Sequence, residues 1–326
     1  MSTATLPLAR RGMPASRLAL GCMGLGGSWG EGPIERAHVR EAEEAIDTAL
    51  EVGINFFDHA DIYRRGKAET VFGRVVAGRP GLREKILIQT KCGIRFAEDE
   101  RVPGRYDFSR EHILRAVDGS LERLGVDYVD VLLLHRPDPL VDGEEVAEAL
   151  RRLNDQGKVR SVGVSNMSEG QIRYLQRWLD MPIVANQLEM GLTRIGFLES
   201  GVHVNQEAAR DNTFPDGTLE FCRLEGIQIQ AWGPMANGYL SGRALDDQPE
   251  TVRSTARLVA AMAQERGVTR EAIVIAWLLR HPAAIQPVIG TKNPERIRAC
   301  AQAEDVELSR EDWYTLYVAA RGRELP

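Results

Sequence analysis

The chain has 326 residues, 43% hydrophobic and 27% charged, with a formal net charge of −6 and a pI near 5.7. That composition is ordinary for a globular protein and argues against a general binder of phosphate backbones, so no nucleic-acid partner is expected. Four cysteines, Cys22, Cys92, Cys222 and Cys300, stand far apart with no CxxC pair, which argues against a zinc ribbon or a disulfide framework, favours a reducing cytoplasm and leaves each as a small core residue, with no metal expected.

Met1 to Arg17 carries basic residues but no apolar h-region, so no secretory signal is read. No apolar run approaches the roughly 20 residues needed to span a bilayer, and no membrane association is expected. Arg17 to Gly21 reads as a first strand. It opens into a loop rich in Gly21, Gly24, Gly26, Gly27 and Gly30, which lacks the GxGxxG dinucleotide fingerprint because Trp29 stands where the third glycine belongs; it reads as turn-rich surface loop. A helix is predicted from about Ile34 to Val52, with Ala42, Ala45, Ile46, Ala49 and Leu50 on one face. Next comes Ile54 to Phe57, an apolar strand that ends abruptly on Asp58.

The alternation continues. Ala68 to Val76 is helical, then Lys85 to Thr90 is a strand ending on Lys91. Asp107-Phe108-Ser109 caps a helix that runs through Leu124. Val129 to Leu134 is a strand ending on His135, followed by a helix from Glu144 to Asn154. Val159 to Val164 is a strand ending at Ser165-Asn166, then Glu169 to Leu179 is helical and Ile183 to Gln187 is extended. Gly191 to Pro215 reads as a long irregular segment, functional or mobile. Thr218 to Leu224 is a short helix, Ile227 to Trp232 a strand, and Gly233 to Pro249 another loop. Helices at Val252 to Gln264 and Arg270 to Arg280 precede the last strand, Ile285 to Ile289. Asn293-Pro294 starts a final barrel helix, and Ser309 to Arg321 adds one more. Eight strands each followed by a helix predict a single α/β domain over residues 1–326, a (β/α)8 TIM barrel with an accessory loop at 191–215 and a C-terminal helix at 309–321.

In such a barrel the site lies at the C-terminal ends of the strands, where Asp58, Lys91, His135, Asn166, Gln187 and Trp232 all fall. Asp58 and Lys91 come from adjacent strands, which places a carboxylate beside an ammonium, either as a structural ion pair or as site residues. Tyr63, five residues after Asp58, sits above the same mouth. A neighbouring lysine ammonium lowers a phenol's pKa and makes it a usable general acid, and His135 could orient a carbonyl. Gly290-Thr291-Lys292 leads to Asn293 as N-cap and Pro294 at the first helical position, so a helix N-terminus flanked by Lys292 and Arg296 suits a phosphate.

Taken together, Asn55 to Tyr63, Ile88 to Lys91, Leu132 to Asp138, Val162 to Asn166, Asn186-Gln187 and Gly290 to Ile297 resemble the aldo-keto reductase superfamily, in the right order over nearly the whole chain. The resemblance is nearest to bacterial members of unassigned substrate and more distant to the potassium-channel β-subunits. It implies Tyr63 as proton donor, Lys91 as the group that lowers its pKa, Asp58 as the partner of Lys91, and His135 as the residue that orients the carbonyl. It implies NADP(H) as cofactor. Ser165, Asn166 and Gln187 would hold the nicotinamide carboxamide, and Gly238 and Leu240 would lie along the pyrophosphate. Lys292 and Arg296 would meet a 2′-phosphate, while Gly21, Cys22, Met23, Asp58, Trp232, Gly233, Pro234, Met235, Gly290 and Thr291 would complete the cofactor site. Trp232 stands where the family usually has a tyrosine, and Ala299-Cys300 replaces a frequent Glu-Asn pair. The expected activity is reduction of a small-molecule aldehyde or ketone. The alternatives are a Schiff-base lyase using Lys91, and a redox-sensing cofactor-binding subunit with negligible turnover.

Overall fold

Eight parallel strands close into a barrel in the computed structural model, which describes residues 5–326. The first four residues of the expected domain, and of the segment read as lacking a signal, lie outside the described residues. The strands are β1 (Ala19–Gly21), β2 (Phe56–Asp58), β3 (Leu87–Cys92), β4 (Val129–Leu134), β5 (Val159–Ser165), β6 (Ile183–Glu189), β7 (Gln228–Trp232) and β8 (Gln286–Ile289). Each pairs only with its sequence neighbours, and β8 closes on β1, so the predicted (β/α)8 barrel is the observed fold.

Side chains of a strand alternate between the lumen and the surrounding helices, and this parity decides what reaches the mouth. Ala19, Phe56, Val131, Leu133, Ala185 and Val288 form an apolar cluster that also takes in Leu8. Two residues further along β2 lies Asp58; two beyond Leu133 of β4 lies His135; two beyond Gln89 of β3 lies Lys91; two beyond Gln230 of β7 lies Trp232. The site residues are therefore the next inward positions above a filled lumen. Leu8 belongs to a short helix, Pro7–Arg10, that the sequence reading did not anticipate.

Helix ends follow the predicted signals. Ser109 caps Arg110–Leu124 by accepting from His112 N. Asn293 caps Pro294–Ala301 by accepting from Arg296 N, with Pro294 at the first helical position. The irregular reading of 191–215 needs correction. It holds a helix, Gly196–Val202, and a 3-10 turn, Glu207–Asp211. Glu199 pins this segment to the C-terminal helix Arg310–Arg321: it accepts from Arg321 Nε at 3.0 Å and from the Tyr317 hydroxyl. A small antiparallel pair, Ile94–Arg95 with Arg105–Tyr106, was also not anticipated. Among the described residues no helix is long and apolar enough to cross a membrane.

Gly163 in β5 shows how tightly the wall is packed. A Cβ there would stand 2.5 Å from Leu133 Cδ2 and 2.8 Å from Ala185 O, the second a backbone atom that cannot swing aside. Gly163→Ala is expected to lower stability by about 1–3 kcal/mol through overpacking, read as a drop in the urea midpoint at unchanged slope.

Candidate active site

Lys91 lies fully buried at the end of β3, and every polar contact of its amine is defined. Nζ donates to Asp58 Oδ1 at 2.8 Å and Oδ2 at 2.7 Å, to His59 O at 2.8 Å, and to the Tyr63 hydroxyl at 3.0 Å. Burial alone would strip the proton from an amine; the Asp58 carboxylate and then the Tyr63 hydroxyl more than offset this, and the Lys91 pKa is raised. The residue is an ammonium at every ordinary pH.

Asp58 is held from below as well. Its Oδ1 accepts from Gln89 Nε2 at 2.6 Å and from Gln187 Nε2 at 3.1 Å. Both amide nitrogens also donate to Gln230 Oε1, whose own amide donates to Gln286, which in turn donates to Ser16 O. This amide ladder fills the lumen between the charged pair and the apolar cluster. The sequence signal for it was available: Gln89 and Gln230 sit two residues before Lys91 and Trp232, on the same face.

Tyr63 follows a turn above β2, with its N–H donating to Ala60 O at 3.0 Å. Its ring meets that of His135 edge-on at 6.0 Å between centroids. Here the structure corrects an expectation. Burial raises the Tyr63 pKa above its ordinary value; Lys91 lowers it but Asp58 raises it again, and the net shift is upward. The phenol is thus kept protonated, which a proton donor requires. His135 is pushed down to about 2 by burial and by Lys91 and Arg136, so its ring is neutral, and its Nδ1 has no hydrogen-bond partner among the described residues.

These groups open on a cleft of about 690 Å³ that also receives Gly21, Met23, Ser165, Asn166, Gln187, Trp232 to Met235, Gly238, Gly290, Thr291 and Arg296. Asn166 adopts a left-handed conformation (φ 58°), donates to Ser165 Oγ at 2.7 Å, and accepts from Trp232 Nε1 at 3.1 Å. Three residues expected at the cofactor are not among those lining the cleft. Cys22 and Leu240 are buried and do not line the cleft, and the Lys292 amine pairs with Glu41. Arg243, Arg64 and Arg136 line the cleft without having been anticipated, and no residue of 191–215 does. The cleft fits a dinucleotide. Amide and hydroxyl groups beside the flat Trp232 stand at one end. Arg296 marks the other, and at Gly290 a Cβ would meet nothing within 4 Å, so bare backbone faces the opening.

A sequence model of the Aldo/keto reductase family matches residues 17–319. The chain is 38% identical over 313 residues to a 6-dehydroglucose reductase of Agrobacterium fabrum (strain C58), covering 95% of this chain and 96% of that one. It is 37% identical to the uncharacterized oxidoreductase YcsN of Bacillus subtilis (strain 168), covering 86% of this chain and 88% of that one. The crystal structure of an aldo-keto reductase from Klebsiella pneumoniae in complex with NADPH superposes with a TM-score of 0.75 at 25% identity, over 97% of this chain and 94% of that one.

Because Asp58 is the counter-charge of a wholly buried ammonium, Asp58→Asn should cost about 3–5 kcal/mol of unfolding free energy. Adding Lys91→Met to that variant removes the stranded charge and should restore much of the loss. Equal stability of wild type and Asp58→Asn in denaturant titrations would mean that the pair does not hold the site together.

Proposed function

This chain belongs to the aldo/keto reductase family, and from that premise we propose that it is an NADPH-dependent reductase of aldehydes or ketones with Tyr63 as the proton donor. One observation carries the reading. Lys91 Nζ donates to the Tyr63 oxygen, so that oxygen is an acceptor there and its own proton is left for a group in the cleft. NADPH, when bound, supplies the hydride that the carbonyl carbon takes up.

The chain's residues do the rest. Ser165, Asn166 and Gln187 are the groups to hold the nicotinamide amide, with Trp232 offering a flat face in place of a tyrosine. Gly290, Thr291, Arg243 and Arg296 are the groups for the phosphates, and Arg296 rather than Lys292 is the cation for a 2′-phosphate. The neutral His135 ring can donate one N–H to the carbonyl oxygen and does not compete as an acid. As that oxygen gains charge, Tyr63 gives up its proton, and the nearby Lys91 ammonium stabilises the phenolate left behind. The Schiff-base alternative is disfavoured because a covalent lysine needs a neutral, accessible amine, and Lys91 is a buried ammonium fully engaged by four acceptor atoms.

Tyr63→Phe should reduce kcat for a carbonyl panel by about 10²–10⁴-fold while NADPH binding, read by quenching of protein fluorescence, is retained. Full rate in that variant would remove Tyr63 as the acid, and NADPH binding with no consumption across the panel would favour the redox-sensing subunit. The pH dependence has a definite sign. The reactive form is the protonated phenol and its pKa is raised, so the rate should fall only as pH rises through a value above ~10. His135, at about 2, should add no acidic limb in the working range. Arg296→Gln should weaken NADPH binding by about tenfold or more and NADH binding much less, measured by parallel titrations.

A further inference from the structure

The substrate end of the cleft carries two positive charges that nothing in the reaction described above uses. Arg64 and Arg136 both line it, each directly after one of the two groups assigned to the carbonyl, Tyr63 and His135. Among the described residues neither guanidinium meets a carboxylate within ion-pairing distance, whereas other partly buried arginines such as Arg83 and Arg321 do. Arg136 lies over the Trp232 ring at 5.7 Å, and its guanidinium makes no hydrogen bond among the described residues. Arg64 uses only its Nε, which donates to Met23 O at 3.0 Å, and lies over Trp29 at 5.1 Å. Its two terminal nitrogens have no partner among the described residues.

The placement of Arg64 is held against strain. Arg64 (φ 52°), Arg65 (φ 57°) and Gly66 (φ 83°) are consecutive left-handed residues, and a non-glycine residue there costs about 1–3 kcal/mol. The turn persists because it is clasped. Arg65 lies over Phe96 at 5.0 Å, and Lys67 Nζ donates to Gly30 O at 2.7 Å and Gly32 O at 3.2 Å. A solvated arginine on a relaxed turn would need none of this.

The cleft's own negative charges do not answer these cations. Only Asp58 and Glu271 among its lining residues are acidic. Asp58 is taken by Lys91, and Glu271 lies at the far end, close enough to Cys300 to influence its thiol together with Arg296. The phosphates of a dinucleotide have Arg243 and Arg296. Two partly buried guanidinium groups at the other end, flanked by the rings of Trp29 and Trp232, are placed to receive an anion that arrives with the substrate.

We propose that Arg64 and Arg136 form a carboxylate clamp and that the carbonyl substrates of this chain are anionic, an aldehyde or ketone bearing a carboxylate on the same short carbon skeleton. This rests on the reductase reading and names its substrate class. The clamp fixes the carboxylate, and the short skeleton then delivers the carbonyl to Tyr63 and His135. A neutral hydroxylated aldehyde, such as the substrate for which the Agrobacterium relative is named, lacks the charge that the two arginines would neutralise.

The test compares succinic semialdehyde with its methyl ester, equal in skeleton and differing in charge, with glyceraldehyde as the neutral hydroxylated probe. The full-length wild type should show kcat/KM for the semialdehyde at least about tenfold above that for the ester, and rising salt should erode this preference. Arg136→Gln and Arg64→Gln should each collapse the ratio through a rise in KM for the semialdehyde, with Arg136→Lys retaining part of it. Succinate should protect the wild-type NADP⁺ complex against thermal unfolding more than it protects either glutamine variant. Equal kcat/KM for acid and ester, or a glyceraldehyde preference, would overturn the clamp and leave the reductase standing. A loss of NADPH affinity in Arg136→Gln with no change in the acid-to-ester ratio would also overturn it, assigning the arginine to the cofactor. Consumption of NADPH with none of the carbonyls would sink the reductase reading and this inference together.

Discussion

The ammonium of Lys91 is the constraint from which the rest of the site follows. A fully buried amine keeps its proton only beside a well-placed counter-charge, because the effective penalty for an isolated buried ion is several kcal/mol. Asp58 meets it with both carboxylate oxygens. Asp58 must itself be aimed, and the amides of Gln89 and Gln187 do this from inside the lumen. Those amides are fixed in turn by Gln230, and Gln230 by Gln286. The orientation of one carboxylate at the mouth is thus tied to a ladder that crosses four strands. A polar lumen of this kind is stable only when its donors and acceptors are paired, and Gln89 Oε1 is buried without a partner among the described residues.

That arrangement also sets the character of Tyr63. Two effects oppose each other at its hydroxyl: burial, which favours the neutral phenol, and the adjacent ammonium, which favours the phenolate. Burial wins in the free protein, and part of the reason is that the charge of Lys91 is already shared with Asp58. The charge of Lys91 is still felt, since it lowers the pKa of both Tyr63 and His135. Its hydrogen bond to the tyrosine oxygen adds direction and decides where the phenol proton points. The ground state keeps the proton, and the ammonium becomes valuable only once the proton begins to leave.

Much of this was legible in the chain. Apolar runs ending on Asp58, Lys91 and His135 pointed to three residues of the candidate site and to the barrel at once, because strand periodicity and strand ends are local properties. Ser109 and Asn293 were readable as caps for the same reason. What escaped depends on distant partners. The helix at Gly196–Val202 is anchored through Glu199 to Arg321, 122 residues away, and nothing in its own sequence announces this. The pairing of Lys292 with Glu41, on a helix 251 residues earlier, is equally invisible in the sequence around it. Cys22 and Leu240 lie in 3-10 turns, where no period tells an inward from an outward side chain. The upward shift of Tyr63 was missed because adjacency to a lysine can be inferred from a pattern, whereas the depth of burial cannot.

Backbone strain has a distribution that bears on how the site is built. Among the described residues, seven non-glycine residues have positive φ: Arg64, Arg65, Asn166, Asn205, Ala236, Asn237 and Ala284. Four of them, Arg64, Asn166, Ala236 and Asn237, line the one cleft. Left-handed backbone survives where its surroundings over-determine it, and here the surroundings are a closed barrel whose strands cannot slip. The turn at Arg64 is gripped by the glycine-rich segment, and Asn166 is gripped by Ser165 and Trp232. The barrel is rigid, so the short turns on its rim can hold conformations that an isolated peptide would abandon. Those conformations aim the side chains of the two rim turns inward: the tyrosine and its following arginine at one, the amide beside Trp232 at the other. In this molecule the strain is therefore a means of placing groups, and the stiffness of the strands below is what makes it sustainable.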